Sequence, residues 1–525
     1  MSGDASTLPL TDPPITGART DGRRRLSGRR TSALAAGSTE VRVSAVVLFV
    51  IVACSILVVV LAAERPSVLS PTTHSGFFPH WMAGPLGGLW PGLPRNSSTL
   101  KYLFSGAIVA MYGAYLVGLA YLPRVRARWA VAAIVAVHAI FFLAPPLALT
   151  DLFNYINYGR MEVVHHLNPY TSIPILEPHN DPSYALSNWH QLLSPYGPLF
   201  TLLTFAVVGI GVVASFWVLK GLLALASLGT IFLVWKCARL LGRDPIAAIV
   251  LVGLNPVVLV WGLGGDHNDF LMLFLIVLGF YLLLLARAGS EAQAAEGDGS
   301  WTEGGIRERV RGWLYPLSTG ELAAGATFAT AAAVKASGAV LIPVVLAGLL
   351  KTPRRLTQVV VGMAGTSLLV AAFNLYAFGL HIPDLSTQSR LVTNVSWPNL
   401  LGLALGQGGE TETLHHLLSA VLIISVFLCC VQAFRRRSSI TASGWASVAL
   451  LVTLSWVLPW YVLWVLPLAA LSTSRKLRTV ALALGVYMII AWAPASGFLW
   501  NAIGFHPENT RVGRMHQRAV KELLN

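Results

Sequence analysis

The feature that most constrains this chain is the repetition of long apolar stretches that carry no charge. Residues 44–63, 103–120, 270–286, 417–434 and 479–499 contain no Asp, Glu, Lys or Arg, and each approaches the roughly 20 residues that a helix needs to cross a bilayer. A hydropathy reading gives about 13 such stretches. The backbone of a spanning segment must satisfy its own hydrogen bonds in lipid, so stretches of this length are expected to be helices. The chain is therefore expected to be an all-α polytopic membrane protein, with about 11–14 transmembrane helices on this count.

Charge placement supports that reading and sets a topology. Of the 525 residues, 55% are hydrophobic and 11% charged, against about 25% charged in ordinary soluble domains. The net charge of +14 does not mark a nucleic-acid protein, because the basic residues form no patch interleaved with aromatics. They punctuate the apolar stretches instead: arginines at 19, 23, 24, 25, 29 and 30, then Arg124, Arg126 and Arg128, Lys236, Arg239 and Arg243, Lys351, Arg354 and Arg355, Arg435, Arg436 and Arg437, and Arg475, Lys476 and Arg478. Under the positive-inside rule these turns are cytoplasmic. By alternation, 64–101, 150–197, 264–269 and 380–413 face outward. The expected location is the plasma membrane, with a cytoplasmic N-terminus and extracytoplasmic polar loops. The cysteines, Cys54, Cys237, Cys429 and Cys430, show neither metal-ligand spacing nor a paired framework and read as packing residues.

The organisation follows from where polarity interrupts. Residues 1–40, rich in Ser, Thr, Pro and Arg, read as a disordered basic cytoplasmic tail. Residues 41–286 form an N-terminal membrane module, 287–318 a cytoplasmic linker, 319–499 a C-terminal membrane module and 500–525 a polar tail whose side the charge rule leaves open. The run 198–241 is too long for one crossing, and two would place Lys236, Arg239 and Arg243 outside. An interfacial helix followed by one span resolves this. Proline at Asn255-Pro256 and Leu458-Pro459 should break the helices there.

The residues capable of chemistry cluster in the outward loops. Asp151 follows an apolar stretch directly and opens a segment containing Tyr155, Arg160, His166, Asn168, Tyr170 and Tyr196, dense in aromatics, amides and imidazoles. Such a composition suits sugar binding, although an aspartate at that boundary also serves simply to end a helix. The turn Gly264-Gly265-Asp266-His267-Asn268-Asp269 can position an acceptor hydroxyl, hold a divalent cation or cap the next helix. No cofactor is firmly implied and no metal-binding residue is assigned, because no third ligand is marked by spacing. Lys335 sits between apolar stretches, where a lone charge costs about 3 kcal/mol; it either snorkels or binds phosphate. Arg390 and Arg160 are weaker phosphate candidates, and Tyr155, Tyr170 and Trp397 are candidates for stacking on sugar faces.

The order of these motifs resembles that of the actinobacterial polyprenol-phosphomannose-dependent α-1,6-mannosyltransferases, which are multi-span class C glycosyltransferases. The similarity rests on the acidic residue after a span (Asp151), the Tyr155, Gly159 and Asn168-Pro169-Tyr170 series, Tyr196-Gly197-Pro198, the Gly264 to Asp269 turn and Val334-Lys335, over about residues 100–480. The resemblance implies a class C bundle whose extracytoplasmic loops form the site. It also implies a polyprenyl-phosphate sugar donor, a glycan or glycolipid acceptor, and inversion to an α product. Asp151 is then the expected base, His267 with Asp266 or Asp269 would assist it or hold the acceptor together with Asn268, and Lys335 with Arg390 or Arg160 would hold the phosphate. An arabinofuranosyl or glucosyl donor, a lipid flippase or transporter, and a non-catalytic assembly partner stand as alternatives.

Overall fold

The computed structural model describes residues 21–64, 73–74, 76, 78–93, 96–124, 126–296, 319–436 and 438–524. Among them the elements are all helical. Six helices are long and apolar enough to cross a membrane: Thr39–Ala63, Ser97–Arg124, Val212–Leu240, Asp269–Gly289, Pro353–Phe378 and Glu412–Arg436. A further candidate is a pair, Arg475–Trp492 and Ser496–Ala502, bent by 77°. Shorter apolar helices, including Ala127–Phe142, Pro198–Val208, Ala336–Leu349, Ser439–Thr453 and Pro459–Leu471, supply the remaining apolar stretches. The chain is thus a multi-pass helical membrane protein in which several stretches are built as broken or half-length helices.

The breaks have visible causes. Pro245–Gly253 ends at Leu254, where Pro256 cannot donate a backbone hydrogen bond. The Asn255 side chain accepts from the amides of Val257 and Val258, and the chain resumes as a π-helical turn over Val258–Leu263. The Ser439–Thr453 helix ends before an extended stretch, and Pro459 starts a 3-10 turn over Pro459–Trp464. The two irregular turns pack against each other. Non-helical backbone at membrane depth is tolerated where protein surrounds it, and both turns are buried throughout.

The run from Pro198 splits as expected, into Pro198–Val208 and Val212–Leu240, with the turn made possible by Gly211 at φ 91°. Two expected boundaries are drawn differently. Residues 21–40 belong to the helix Asp21–Ala63, and the helix Asp269–Glu296 runs into the expected linker; the rest of that tail and linker, 1–20 and 297–318, lies outside the described residues.

The helix Asp269–Glu296 sets the axis of the molecule. Asp269 stands at one end, and Arg287, 18 residues on, lies about 27 Å away at 1.5 Å per residue. The basic turns gather at the Arg287 end, where Arg243, Arg287, Lys351 and Arg355 line one cavity and Arg243, Arg475 and Arg478 a neighbouring one. The polar loops gather at the Asp269 end. The C-terminal segment joins them there: it forms the helix Arg511–Leu524, and the carbonyl of Leu523 accepts from the amide of Gln191 in the 166–197 loop.

Candidate active site

Asp151 is the first residue of the helix Asp151–His165. Its carboxylate keeps 18% of its side-chain surface exposed, with Oδ2 3.1 Å from His267 Nδ1. The His267 ring lies flat on Trp460, centroids 3.5 Å apart and planes 8° from parallel. This stacking fixes the ring plane, and the carboxylate fixes which nitrogen faces it. The other ring nitrogen, Nε2, is buried without a protein partner.

The turn around His267 is held by charge. Asp266 has φ 57°, a left-handed conformation that Asp and Asn tolerate better than most side chains. Its Oδ2 lies 3.1 Å from Lys220 Nζ, and Lys220 also donates to the Ala144 carbonyl at 2.9 Å. Asp269 opens the next helix; it accepts from Lys335 Nζ at 2.7 Å and from Trp464 Nε1 at 2.6 Å. Burying an ion alone costs several kcal/mol, and Asp266 and Asp269 are each paired with a lysine, Lys220 from the helix Val212–Leu240 and Lys335 from the junction after Thr319–Val334. Their carboxylates serve separate pairs, and among the described residues no group of three His, Cys, Asp or Glu side chains gathers as a metal site. Asn268 donates its backbone amide to Tyr155 Oη at 3.2 Å, while both polar atoms of its side chain are buried without partners.

These elements converge on a cavity of about 80 Å3 lined by Asp151, Tyr155, Tyr158, Tyr196, Lys335, Trp460 and Tyr461, with Trp189, Gln388 and Trp456 among the further walls. Tyr196 meets Tyr155 edge to face at 4.7 Å. Lys335 Nζ stands 5.5 Å over the Tyr461 ring, and its side chain is 21% exposed. Aspartate and lysine therefore face one space, from residues 184 positions apart in the sequence.

The remaining sequence candidates lie elsewhere. Arg160 donates Nε and Nη2 to Asp181, both at 2.9 Å, and His165 Nε2 joins the same carboxylate at 2.7 Å. His166 is the exposed C-cap of its helix, at φ 55°. Asn168 donates to the Phe378 carbonyl and accepts from the Tyr170 amide. Tyr170 is buried and donates its hydroxyl to the Tyr196 carbonyl and to Thr201. These side chains shape the loop that carries Tyr196. Arg390 is exposed, two residues past the cavity-lining Gln388. Trp397 stacks on Tyr487 and is 42% exposed.

Sequence reasoning missed Lys220, Trp460, Tyr461 and Trp464. Lys220 carried a signal, a lysine inside an apolar helix. The aromatics directly follow the break at Pro459. Also missed was Glu177 in the 166–197 loop, whose Oε1 accepts from Asn157 Nδ2 at 2.9 Å. Burial, reinforced by the nearby Asp181 carboxylate, pushes the Glu177 carboxyl up to about 8. Asp181 goes the other way: burial opposes its ionisation, but hydrogen bonds from Arg160, Ser183 and His165 outweigh it and hold the carboxyl below its usual range.

Residues 50–351 match the family described as alpha-(1->6)-mannopyranosyltransferase, N-terminal domain, which includes Asp151, the 264–269 turn and Lys335. Residues 395–505 match the MptB C-terminal domain, which includes Trp460 and Trp464. The chain is 26% identical to alpha-(1->6)-mannopyranosyltransferase A of Mycobacterium tuberculosis over 388 residues, 68% of each chain. A second alpha-(1->6)-mannopyranosyltransferase of that organism is 29% identical over 408 residues, 68% of this chain and 67% of the relative. Alpha-(1->6)-mannopyranosyltransferase B of Corynebacterium glutamicum is 26% identical over 410 residues, 69% of this chain and 64% of the relative. No solved structure matches. With more than half of its length matched and the buried charge pairs inside the matched segment, the chain belongs to the alpha-(1->6)-mannopyranosyltransferase family.

Proposed function

We propose that this chain is a membrane enzyme that transfers mannose from a polyprenyl-phosphate donor to a hydroxyl of a glycan or glycolipid acceptor, with inversion to an α-(1→6) linkage, at the extracytoplasmic face of the plasma membrane. Family membership supports mannosyl transfer. The observation that carries the mechanism is that Asp151 and Lys335 line one cavity, a base and a cation at the end of the bundle away from the basic turns. A lipid-linked sugar phosphate suits that placement, since its tail belongs in the bilayer and its phosphate and sugar at the headgroup level.

In the transfer, the acceptor hydroxyl attacks the anomeric carbon and loses its proton to the Asp151 carboxylate. The bond from that carbon to the phosphate oxygen breaks, and the polyprenyl phosphate leaves with the electron pair. The His267 contact occupies Oδ2 and leaves Oδ1 to accept the proton. Lys335 spends one of its three N–H donors on Asp269 and keeps others for the phosphate, whose charge grows as it departs.

Replacing Asp151 with Asn tests this. Transfer of radiolabelled mannose from the polyprenyl-phosphate donor by purified protein should be abolished, with folding and donor binding kept; near-normal turnover would sink the assignment. The contacting broken helices at 254–263 and 454–464 favour the transport reading, since transporters build sites from discontinuous helices. Here those breaks hold His267 and Trp460, and the same experiment separates the readings, because a transporter forms no glycosidic product.

A further inference from the structure

At the opposite end of the bundle lies a cavity of about 530 Å3, larger than the space at Asp151. Its walls carry Arg243, Arg287, Lys351 and Arg355, and no carboxylate lines it among the described residues. Arg355 is oriented by Glu321 at 2.9 Å and by the Leu283 carbonyl, and Arg243 donates to the Ser472 carbonyl at 2.6 Å. The Arg243 Nε is buried with no protein partner. Lys351 Nζ stands 4.6 Å over the Phe434 ring.

Backbone dipoles add to this charge. Thr352 and Ser438, both on the cavity wall, are the N-caps of Pro353–Phe378 and Ser439–Thr453, and neither side chain caps its helix. Two helix N-termini without a side-chain cap thus open beside the cations, and such ends favour anions, phosphate above all. One side of the wall is apolar, with Phe280, Leu283 and Leu284. These residues are 11–15 positions beyond Asp269, about 17–23 Å along the helix, which places the cavity near the other bilayer surface.

We propose that this cavity binds the phosphate headgroup of an anionic membrane lipid, with the acyl chains against its apolar wall. A soluble phosphate would match the cations and helix ends but not Phe280, Leu283 and Leu284. This site is separate from the transfer site and does not depend on how that site works.

The test uses the full chain purified in detergent, with native mass spectrometry of bound lipid. Phosphatidylglycerol should be retained about tenfold over phosphatidylcholine of the same acyl chains, and R287Q with K351Q should lower that preference about tenfold. Lys236→Gln, a change at a basic turn that does not line the cavity, should leave it unchanged. Equal retention of the two lipids by the unaltered chain overturns the proposal without reference to any variant. So does an equal loss in Lys236→Gln, which would mark diffuse surface charge. Displacement of the lipid by millimolar glycerol phosphate would identify a soluble occupant and also overturn it.

Discussion

Lys220 and Asp266 form an ion pair at 3.1 Å with side chains only 1% and 3% exposed, from the helix Val212–Leu240 to the turn that carries His267. Removing one partner of a buried pair leaves the other as an uncompensated charge, at about 3–5 kcal/mol. Lys220→Met should therefore destabilise the protein by that order and disorder the His267 turn. The double variant with Asp266→Asn should recover much of the melting temperature. Thermal unfolding of the unaltered protein and the two variants in one detergent measures this, and an unchanged melting temperature in Lys220→Met would contradict it.

Lys335→Met removes the cation from the cavity and from Asp269 at once. Donor affinity is expected to fall more than acceptor affinity, because only the donor carries phosphate. Separate KM measurements for the two substrates make the comparison. Equal effects would show that the lysine acts only by holding Asp269.

Arg160 is engaged by Asp181, so Arg160→Gln is expected to lower stability without a specific effect on donor binding. The cost should be about 2 kcal/mol, less than the roughly 3–5 for breaking a fully buried pair, because His165 and Ser183 still hold the carboxylate. The melting temperature should fall while the donor KM of the folded protein stays within about twofold, under 0.5 kcal/mol.

Glu177 gives the 166–197 loop a pH dependence of definite sign. Its carboxyl is raised from 4.5 to about 8, so between those values the folded protein keeps the proton and the unfolded chain has lost it. Stability then falls as pH rises through that window. Glu177→Gln, which imitates the protonated acid, should flatten the slope of melting temperature against pH across it. Asp181, held low, has the opposite sign: its contribution is present above the ordinary carboxylate value and is lost as pH falls.

Much of the candidate site was legible because membrane depth makes charge conspicuous. Asp151, the 266–269 turn and Lys335 stood out as polar residues beside uncharged stretches, and the fold brings them together. What the sequence did not show was who meets whom. Arg160 and Lys335 were both candidate cations and each meets a carboxylate, Asp181 and Asp269, but of the two it is Lys335 that lines the cavity, and only the path of the chain reveals it. Tyr196-Gly197-Pro198 was visible as a motif without a reason. A Cβ on Gly197 would lie 2.1 Å from the Ala333 carbonyl, so the glycine lets the loop touch the helix end that presents Lys335. The broken helices were half visible: proline marked Asn255-Pro256 and Leu458-Pro459, but hydropathy measures apolar length and not whether one helix fills it.

The partners of Asp269 bear on how the protein is made. Its lysine lies 66 residues downstream and its tryptophan 195, so on a growing chain the carboxylate is synthesised before either partner. Until then it must stay protonated or wetted, since a bare charge at that depth is costly. The cluster closes only once Trp464 has been synthesised, which puts completion of the site among the last steps of biogenesis and leaves any shorter product without it.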